Sequence, residues 1–571
     1  MSAALEPILR SSWQATAGVS ALAGVLSHHT VFRPYEIDGA GWELFFTYIG
    51  TFVTLCIAYV HIAGFGFVAS LGRILLVATT YNVSLTASIL AYRAFFHRLG
   101  RFPGPFHARL SRFYAFYKAT KTVRGCEDIQ KLHEQYGDFV RVGPREISIN
   151  RPSAIRPIYE PPTKTTRSPW YAQVSKDVTK ISLNSTRVLK VHKQRKKGWE
   201  RGLGSRAMAI YELRVTEKVN SLLSRIAAKA GTPMNMADYI MFFGFDVMGD
   251  VGKSSHALYF FLFADFHMVE NETEHTAIKG IHESMMAIGI IGTVPWLLSM
   301  LGKIPGAAGG YARFTGWCHD QLQEKRKIMV NEKASLQDQE PRDVMSWLLK
   351  AKEEGNPSAP PGDQAVEEDA RLLIIAGSDT VASAITNALY YLAKNPDRYK
   401  ALQDALWQHF PHGDSDWTYE KARAVPYLDW VIHETLRLRP SVPGGLARVT
   451  PPEGLMVDDV FIPGDTVTSV PTYTMQRDER YWPDALSFKP ERWEGLNTEK
   501  APWIPFTRGQ WACSGKALAM MEMRMVLGRI ALQYDIAFPK GVTAENVDFQ
   551  FKDTFTQTLP PLPLVFTPIS R

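Results

Sequence analysis

Two uncharged runs near the N-terminus constrain this chain more than any other feature. From Leu44 to Phe67, "LFFTYIGTFVTLCIAYVHIAGFGF" contains no Asp, Glu, Lys or Arg. From Ile74 to Tyr92, "ILLVATTYNVSLTASILAY" is again uncharged and is bounded by Arg73 and Arg93. Each has about the 20 residues that a helix needs to cross a bilayer. An earlier stretch, Trp13 to Phe32, is also uncharged but holds several hydroxyl residues and histidines. The expectation is a membrane anchor over residues 1–98 with two or three transmembrane helices. The alternative is a pair of buried core helices, although two long uncharged runs in tandem are rare in soluble cores. The start "MSAALEPILR" lacks the basic region of a cleaved signal peptide. Arg93, Arg98 and Arg101 follow the last run, and such an excess marks the cytoplasmic side of a span. Everything downstream is therefore expected in the cytosol.

"RFPGPF" comes next. Pro103, Gly104 and Pro105 cannot continue a helix and favour a stiff extended connector. Residues 99–106 thus read as a Pro/Gly hinge, and residues 107–571 as a catalytic body large enough for a substantial core. Helical periodicity dominates that body, as in Val215 to Ala227, Arg371 to Ala393 and Lys516 to Leu532. Short strand-like runs stand at "DFVRVGPREISI" from Asp138 and at "VTSVP" from Val467. The charged, Pro-rich "KEEGNPSAPPGDQAVEED" reads as an exposed loop before a long apolar helix. The class is mainly α, an α+β body with small β-sheets behind N-terminal apolar helices.

Composition narrows the function. Lys+Arg exceed Asp+Glu by 64 − 57 = 7 over 571 residues, too dilute for a nucleic-acid binder. Cys56, Cys126, Cys318 and Cys513 are too far apart for a zinc knuckle or a redox pair. A reducing compartment is the simpler setting.

Cys513 stands in "PWIPFTRGQWACSGKALAMMEMRMVLGRIAL". Gly509 permits a tight turn and Gly515 a close approach. A run of good helix formers begins just after, so the cysteine precedes a helix N-terminus, where dipole and free N–H groups stabilise a thiolate. That setting suits iron ligation; the alternative is a buried structural cysteine. "FTRGQWACSG" resembles the heme-ligating loop of the cytochrome P-450 family, with Phe506, Gly509, Cys513 and Gly515 at matching spacing. The resemblance implies that Cys513 is the proximal ligand of heme b. One position departs: the family usually places Arg or His, which binds a heme propionate, where this chain has Trp511. An indole N–H can donate one hydrogen bond but carries no charge.

Three more segments match in the family's order. "LLIIAGSDTVASAITNALYYL" is an apolar helix with Asp379 and Thr380 in its middle. A charged Asp there needs work or a partner, and the Thr hydroxyl can bond the carbonyl of Ala376. The resemblance implies that Thr380 steadies bound dioxygen and Asp379 feeds protons. "VIHETLRLRP" puts Glu434 and Arg437 on one helical face, and "FKPERW" supplies Arg492. In the family these three close into a structural triad held by guanidinium–carboxylate geometry.

The propionates need cations or donors. "HKQRKKGWER" offers His192, Arg195 and Lys196 where the family grips one propionate, with the choice between Arg195 and Lys196 open; Arg448 in "GGLARV" matches the second. A solvated basic face, or docking for an acidic partner, is the other reading of that run. Substrate contacts implied by the family fall in "SPWYAQVSKDVTKISLNST", near Ala376, in "SVPGG" and in "TQTLPP". Residues 252–265, rich in Leu and Phe, read either as a membrane-dipping part of the substrate entrance or as a retained-intron artefact.

The resemblance thus implies a membrane-bound monooxygenase that inserts one oxygen atom from O2 into a lipophilic substrate, by hydroxylation or epoxidation. Electrons would come from NADPH through a flavoprotein, NADPH-cytochrome P-450 reductase, at the endoplasmic reticulum membrane. A specialised secondary-metabolite role, on a terpenoid or alkaloid, follows family habit. The alternative is a non-catalytic or degenerate heme-binding membrane protein.

Overall fold

The computed structural model describes residues 2–172, 175, 177–253, 266–307, 309–331, 341–543 and 549–569. The Leu- and Phe-rich stretch singled out above falls, from residue 254 to 265, outside the described residues.

The N-terminal runs form helices Gly41–His61 and Phe67–Ala91, both long and apolar enough to cross a membrane and both largely free of protein cover. Helix Trp13–Ser27, extended by a wide turn His28–Phe32, lies along Phe67–Ala91. Its buried face is small and polar: Thr16, Ser20, Gly24 and His28 recur every fourth residue. A side chain on Gly24 would lie 2.5 Å from the Tyr81 carbonyl oxygen, and His28 Nδ1 meets Ser88 Oγ at 2.8 Å. Small residues and interhelical hydrogen bonds are how helices associate where water provides no drive. The N-terminal segment also touches the body. Glu36 receives two bonds from the Arg187 guanidinium at 2.6 and 2.9 Å, and Trp42 Nε1 donates to Met300 O at 3.2 Å.

The Pro-Gly-Pro connector is docked rather than free. Leu99 and Phe102 are buried with Ile147 and Ile149, and Pro103 O accepts from Arg141 N at 2.7 Å. Beneath lies a five-stranded sheet with spatial order Phe139–Gly143, Glu146–Ile149, Val467–Ser469, Arg448–Val449, Thr166–Arg167. Its first two strands are the antiparallel hairpin read from "DFVRVGPREISI"; Val467–Ser469 joins it in parallel.

The rest is helical and packs around Asp363–Lys394, the central helix, whose C-terminal half is buried on every side. That burial shows why a helix apolar enough to span a membrane does not do so here. It begins earlier than the periodicity suggests: "DQAVEED", read as loop, forms its first turns after Pro361 and Gly362, with Asp363 at the N-terminal end where a negative charge is favoured. Helix Ser205–Ala228 and helix Lys516–Gln533, the cysteine helix, pack against each other and the latter against the central helix.

Candidate active site

One cavity of about 890 Å³ runs between the central helix, the cysteine loop and the body's outer segments. Cys513 is at its floor. The turn Gly509–Trp511 brings the chain back under Phe506, whose carbonyl accepts from Cys513 N at 3.0 Å. Gly509 has φ +68°, and a Cβ there would sit 2.2 Å from Tyr159 O, so the turn needs glycine. Gly515 caps the cysteine helix. The Cys513 side chain is exposed, but to the cavity. Burial pushes its thiol up, while the N–H groups of Gly515 and Lys516 and the charges of Lys196 and Lys516 pull it back. A metal cation at the sulfur would complete that pull.

Beside the cysteine is an electropositive wall with too few acceptors. Trp511 lies tilted against His192 with ring centroids 4.1 Å apart; the Arg167 guanidinium lies 4.5 Å from the Trp511 ring, and that of Arg448 5.7 Å. Burial, then the charges of Arg167, Lys196, Arg448 and Arg195, push His192 down to about 2, so its ring is neutral. Burial and the neighbouring Arg448 and Arg195 push Arg167 down to about 9. Among the described residues, His192 Nδ1, Trp511 Nε1, Arg167 Nε and Arg448 Nε and Nη2 are buried without a partner. Such groups are costly until an acceptor arrives. The two carboxylates of heme b are acceptors of that kind, and the residues fit them.

The other candidate cations lie elsewhere. Neither Arg195 nor Arg448 lines the cavity, but Arg195 is held by Asp369 at 2.8 Å and also donates to Ile181 O and Thr186 Oγ1, whereas, among the described residues, Arg448 makes only main-chain bonds, to Leu446 O and Ala447 O. Lys196 reaches Glu200 at 3.7 Å and acts on Cys513 through charge alone.

On the central helix, Thr380 lines the cavity together with Ala376 and Gly377. Its hydroxyl donates to Ala376 O at 2.6 Å, and its own carbonyl accepts from Ser441 Oγ at 2.6 Å. Asp379 does not line the cavity. Its Oδ1 is 3.5 Å from His282 Nε2, and the other ring nitrogen of His282 contacts Glu274. Burial opposes charge on that ring, but the two carboxylates hold it up at about 10.

Glu434 and Arg437 are fully buried and meet through two bonds of 2.8 and 2.9 Å. Arg492 Nε and Trp493 Nε1 bond the same carboxylate at 2.9 and 3.0 Å, and Arg437 also donates to Gln476 O and Ala485 O. Every lone pair the pair needs is satisfied, which is the condition for a buried ion pair to hold.

The expected substrate segments contribute Trp170, Leu183, Ser441 and Thr556 to the lining. Sequence reasoning missed Arg167, which precedes the first of them by one residue and carries no motif. It also missed the helix Thr276–Ile291 and the segment around Leu298–Tyr311, whose apolar residues look like ordinary core until folded.

A cysteine presented to a buried cavity beside an acceptor-poor cationic wall defines a class: enzymes that hold heme through a thiolate. The comparisons agree. The family model described as cytochrome P-450 matches residues 105–566, and the chain belongs to the cytochrome P-450 family. It is 51% identical to the cytochrome P-450 monooxygenase eupD of Phoma sp over 284 residues, which is 50% of this chain and 100% of that protein. It is 34% identical over 556 residues to the monooxygenase FCK2 of Fusarium pseudograminearum, covering 95% of this chain and 96% of that protein. It is 32% identical over 498 residues to the tryprostatin B 6-hydroxylase of Aspergillus fumigatus, covering 86% and 85%. The chain is therefore a heme-thiolate monooxygenase, with heme b as cofactor and a reductase as electron source. These findings support that reading and not the non-catalytic alternative.

Proposed function

We propose that this monooxygenase acts on a lipophilic intermediate of secondary metabolism, at the cytosolic face of the endoplasmic reticulum membrane. The observation that carries the reading is the meeting of Cys513 and Thr380 on the lining of one mostly apolar cavity. Relatives include one whose name is tryprostatin B 6-hydroxylase. By the family's habit, an alkaloid or a terpenoid is the substrate class to try first.

Residues 1–98 form the anchor, with Gly41–His61 and Phe67–Phe96 as a hairpin of spans and Trp13–Phe32 as a third membrane helix. A two-span hairpin returns the chain to the side it left, and the contacts of Glu36 and Trp42 with the body accord with that. The electron donor is the NADPH-dependent flavoprotein reductase, steered by the exposed lysines of helix Leu189–Gly202.

Heme, when bound, supplies the activation of dioxygen. Cys513 is its ligand in the thiolate form, held by the N–H groups of the helix start. His192, Trp511, Arg167 and Arg448 bind its carboxylates; Lys196 and Arg195 support that wall from behind. Phe506, Gly509 and Gly515 shape the loop. Thr380 holds a hydroxyl at the cavity wall, where it orients oxygen. Asp379, next to it in sequence, is the acid that exchanges protons through His282 and Glu274. Glu434, Arg437 and Arg492 fix the core below. The test is oxygen consumption by the full chain with reductase and NADPH across a panel of alkaloids and terpenoids. Acceleration by one class, with a product heavier by one oxygen atom, supports the reading; no acceleration across the panel counts against it.

A further inference from the structure

Two arginines beside the cavity each hold the other's main chain. Arg167 Nη1 donates to Leu183 O at 2.8 Å, and also to Asn184 O and Thr186 O. Arg187, one residue past those carbonyls, returns the contact: its Nε donates to Arg167 O at 2.8 Å. This clasp joins the edge strand Thr166–Arg167 to the segment that leads into helix Leu189–Gly202. In the sheet, Arg167 stands directly opposite Arg448, and its guanidinium lies 4.5 Å from the Trp511 ring. A shift of the Arg167 main chain is therefore a shift of the cationic wall.

The two terminal nitrogens of Arg187 are taken by Glu36, from the loop between His28–Phe32 and Gly41–His61, at 2.6 and 2.9 Å. Two parallel bonds fix the plane of a guanidinium as well as its position, and here that plane aims the Nε–H at Arg167 O. The side chains of Arg187 and Glu36 are only 23% and 27% exposed, so salt and water screen the pair less than a surface one.

We propose that Glu36 is a positioning residue of the cofactor wall: through Arg187 it holds the main chain of Arg167, which makes the loop between the N-terminal helices a working part of the heme site. Without the Glu36 carboxylate, Arg187 turns toward water and Arg167 O loses this donor. The edge strand then loosens, the Arg167 guanidinium moves with it, and the heme carboxylates are held less firmly.

This inference rests on the monooxygenase reading, and its test separates the two. The full chain in lipid nanodiscs is compared with Glu36→Gln and with Arg187→Lys, which keeps a charge for Glu36 but has no Nε–H. The first readout is hydrogen–deuterium exchange, with no activity required. Amides of residues 182–188 should exchange several-fold faster in both variants, with those of helix Lys516–Gln533 unchanged. The second readout is the rate of heme transfer to apomyoglobin, which should rise several-fold in both. Trp42→Phe, which frees the same loop from Met300 O and leaves the clasp intact, should change neither. Unchanged exchange in Glu36→Gln overturns the proposal. Faster exchange with unchanged heme loss, in either variant, also overturns it, because the clasp then stops short of the wall. An equal effect of Trp42→Phe does the same, since any loosening of the loop would then serve. An unaltered chain that takes up no heme defeats the monooxygenase reading and the last link of the proposal with it, while the exchange result still decides whether Glu36 holds the clasp.

Discussion

Asp379 Oδ1 and His282 Nε2 face each other at 3.5 Å, joining the central helix to the helix Thr276–Ile291, which also lines the cavity. The Asp that looked out of place in an apolar helix has a partner, and Glu274 holds the far side of the same ring. The pair has a pH signature. His282 is held up at about 10 against an ordinary value of 6.5, so its proton is bound more tightly in the folded chain. That contribution to stability is complete below about pH 6.5 and is lost as pH rises through about 10. Melting temperature should fall across this window in the unaltered protein. His282→Gln should flatten that slope; an unchanged slope would remove His282 as its source.

Arg195 and Asp369 form a second buried link, between the helix Leu189–Gly202 and the central helix, at 2.8 Å. Removing one partner leaves the other charge buried and unpaired, a loss of about 3–5 kcal/mol. Arg195→Ala should lower the denaturation midpoint accordingly, and the Arg195→Met, Asp369→Leu pair should recover much of the loss. A mild single variant would show that water reaches the site.

Gly509 tests the loop's backbone. With φ +68° and a carbonyl oxygen 2.2 Å from where a Cβ would sit, Gly509→Ala requires the turn to open. The variant should lose heme while keeping its far-ultraviolet circular dichroism. Full heme content would mean that the loop tolerates a different turn.

Thr380→Ala removes the hydroxyl that donates to Ala376 O. Heme content should stay the same, while productive turnover falls in favour of peroxide by roughly a hundredfold, the lower end of what a positioned proton-transfer group contributes. Unchanged coupling would leave Thr380 a helix-packing residue.

Much of this site was legible because its chemistry demands particular residues at fixed spacing. A turn that needs Gly509, a cysteine before a helix and an acid–alcohol pair leave marks in one dimension. The Glu434–Arg437–Arg492 cluster was legible for the same reason, since two of its members are three residues apart. The cationic wall was only half legible. "HKQRKKGWER" shows several basic residues, but which of them turn inward depends on helix phase, and Asp369, 174 residues from Arg195, decides it for that one. Arg167 left no mark, because only folding makes it a neighbour of Trp511. The central helix and the two N-terminal helices read alike in hydropathy. Packing against helix Met236–Lys253 and the cysteine helix separates them.

The most direct test of the account is the carbon monoxide difference spectrum of the reduced protein in membranes, alone and as Cys513→Ala. The account predicts a strongly red-shifted Soret band from the unaltered chain and its loss on substitution of Cys513. A red-shifted band that survives Cys513→Ala would contradict the ligand assignment on which everything above depends.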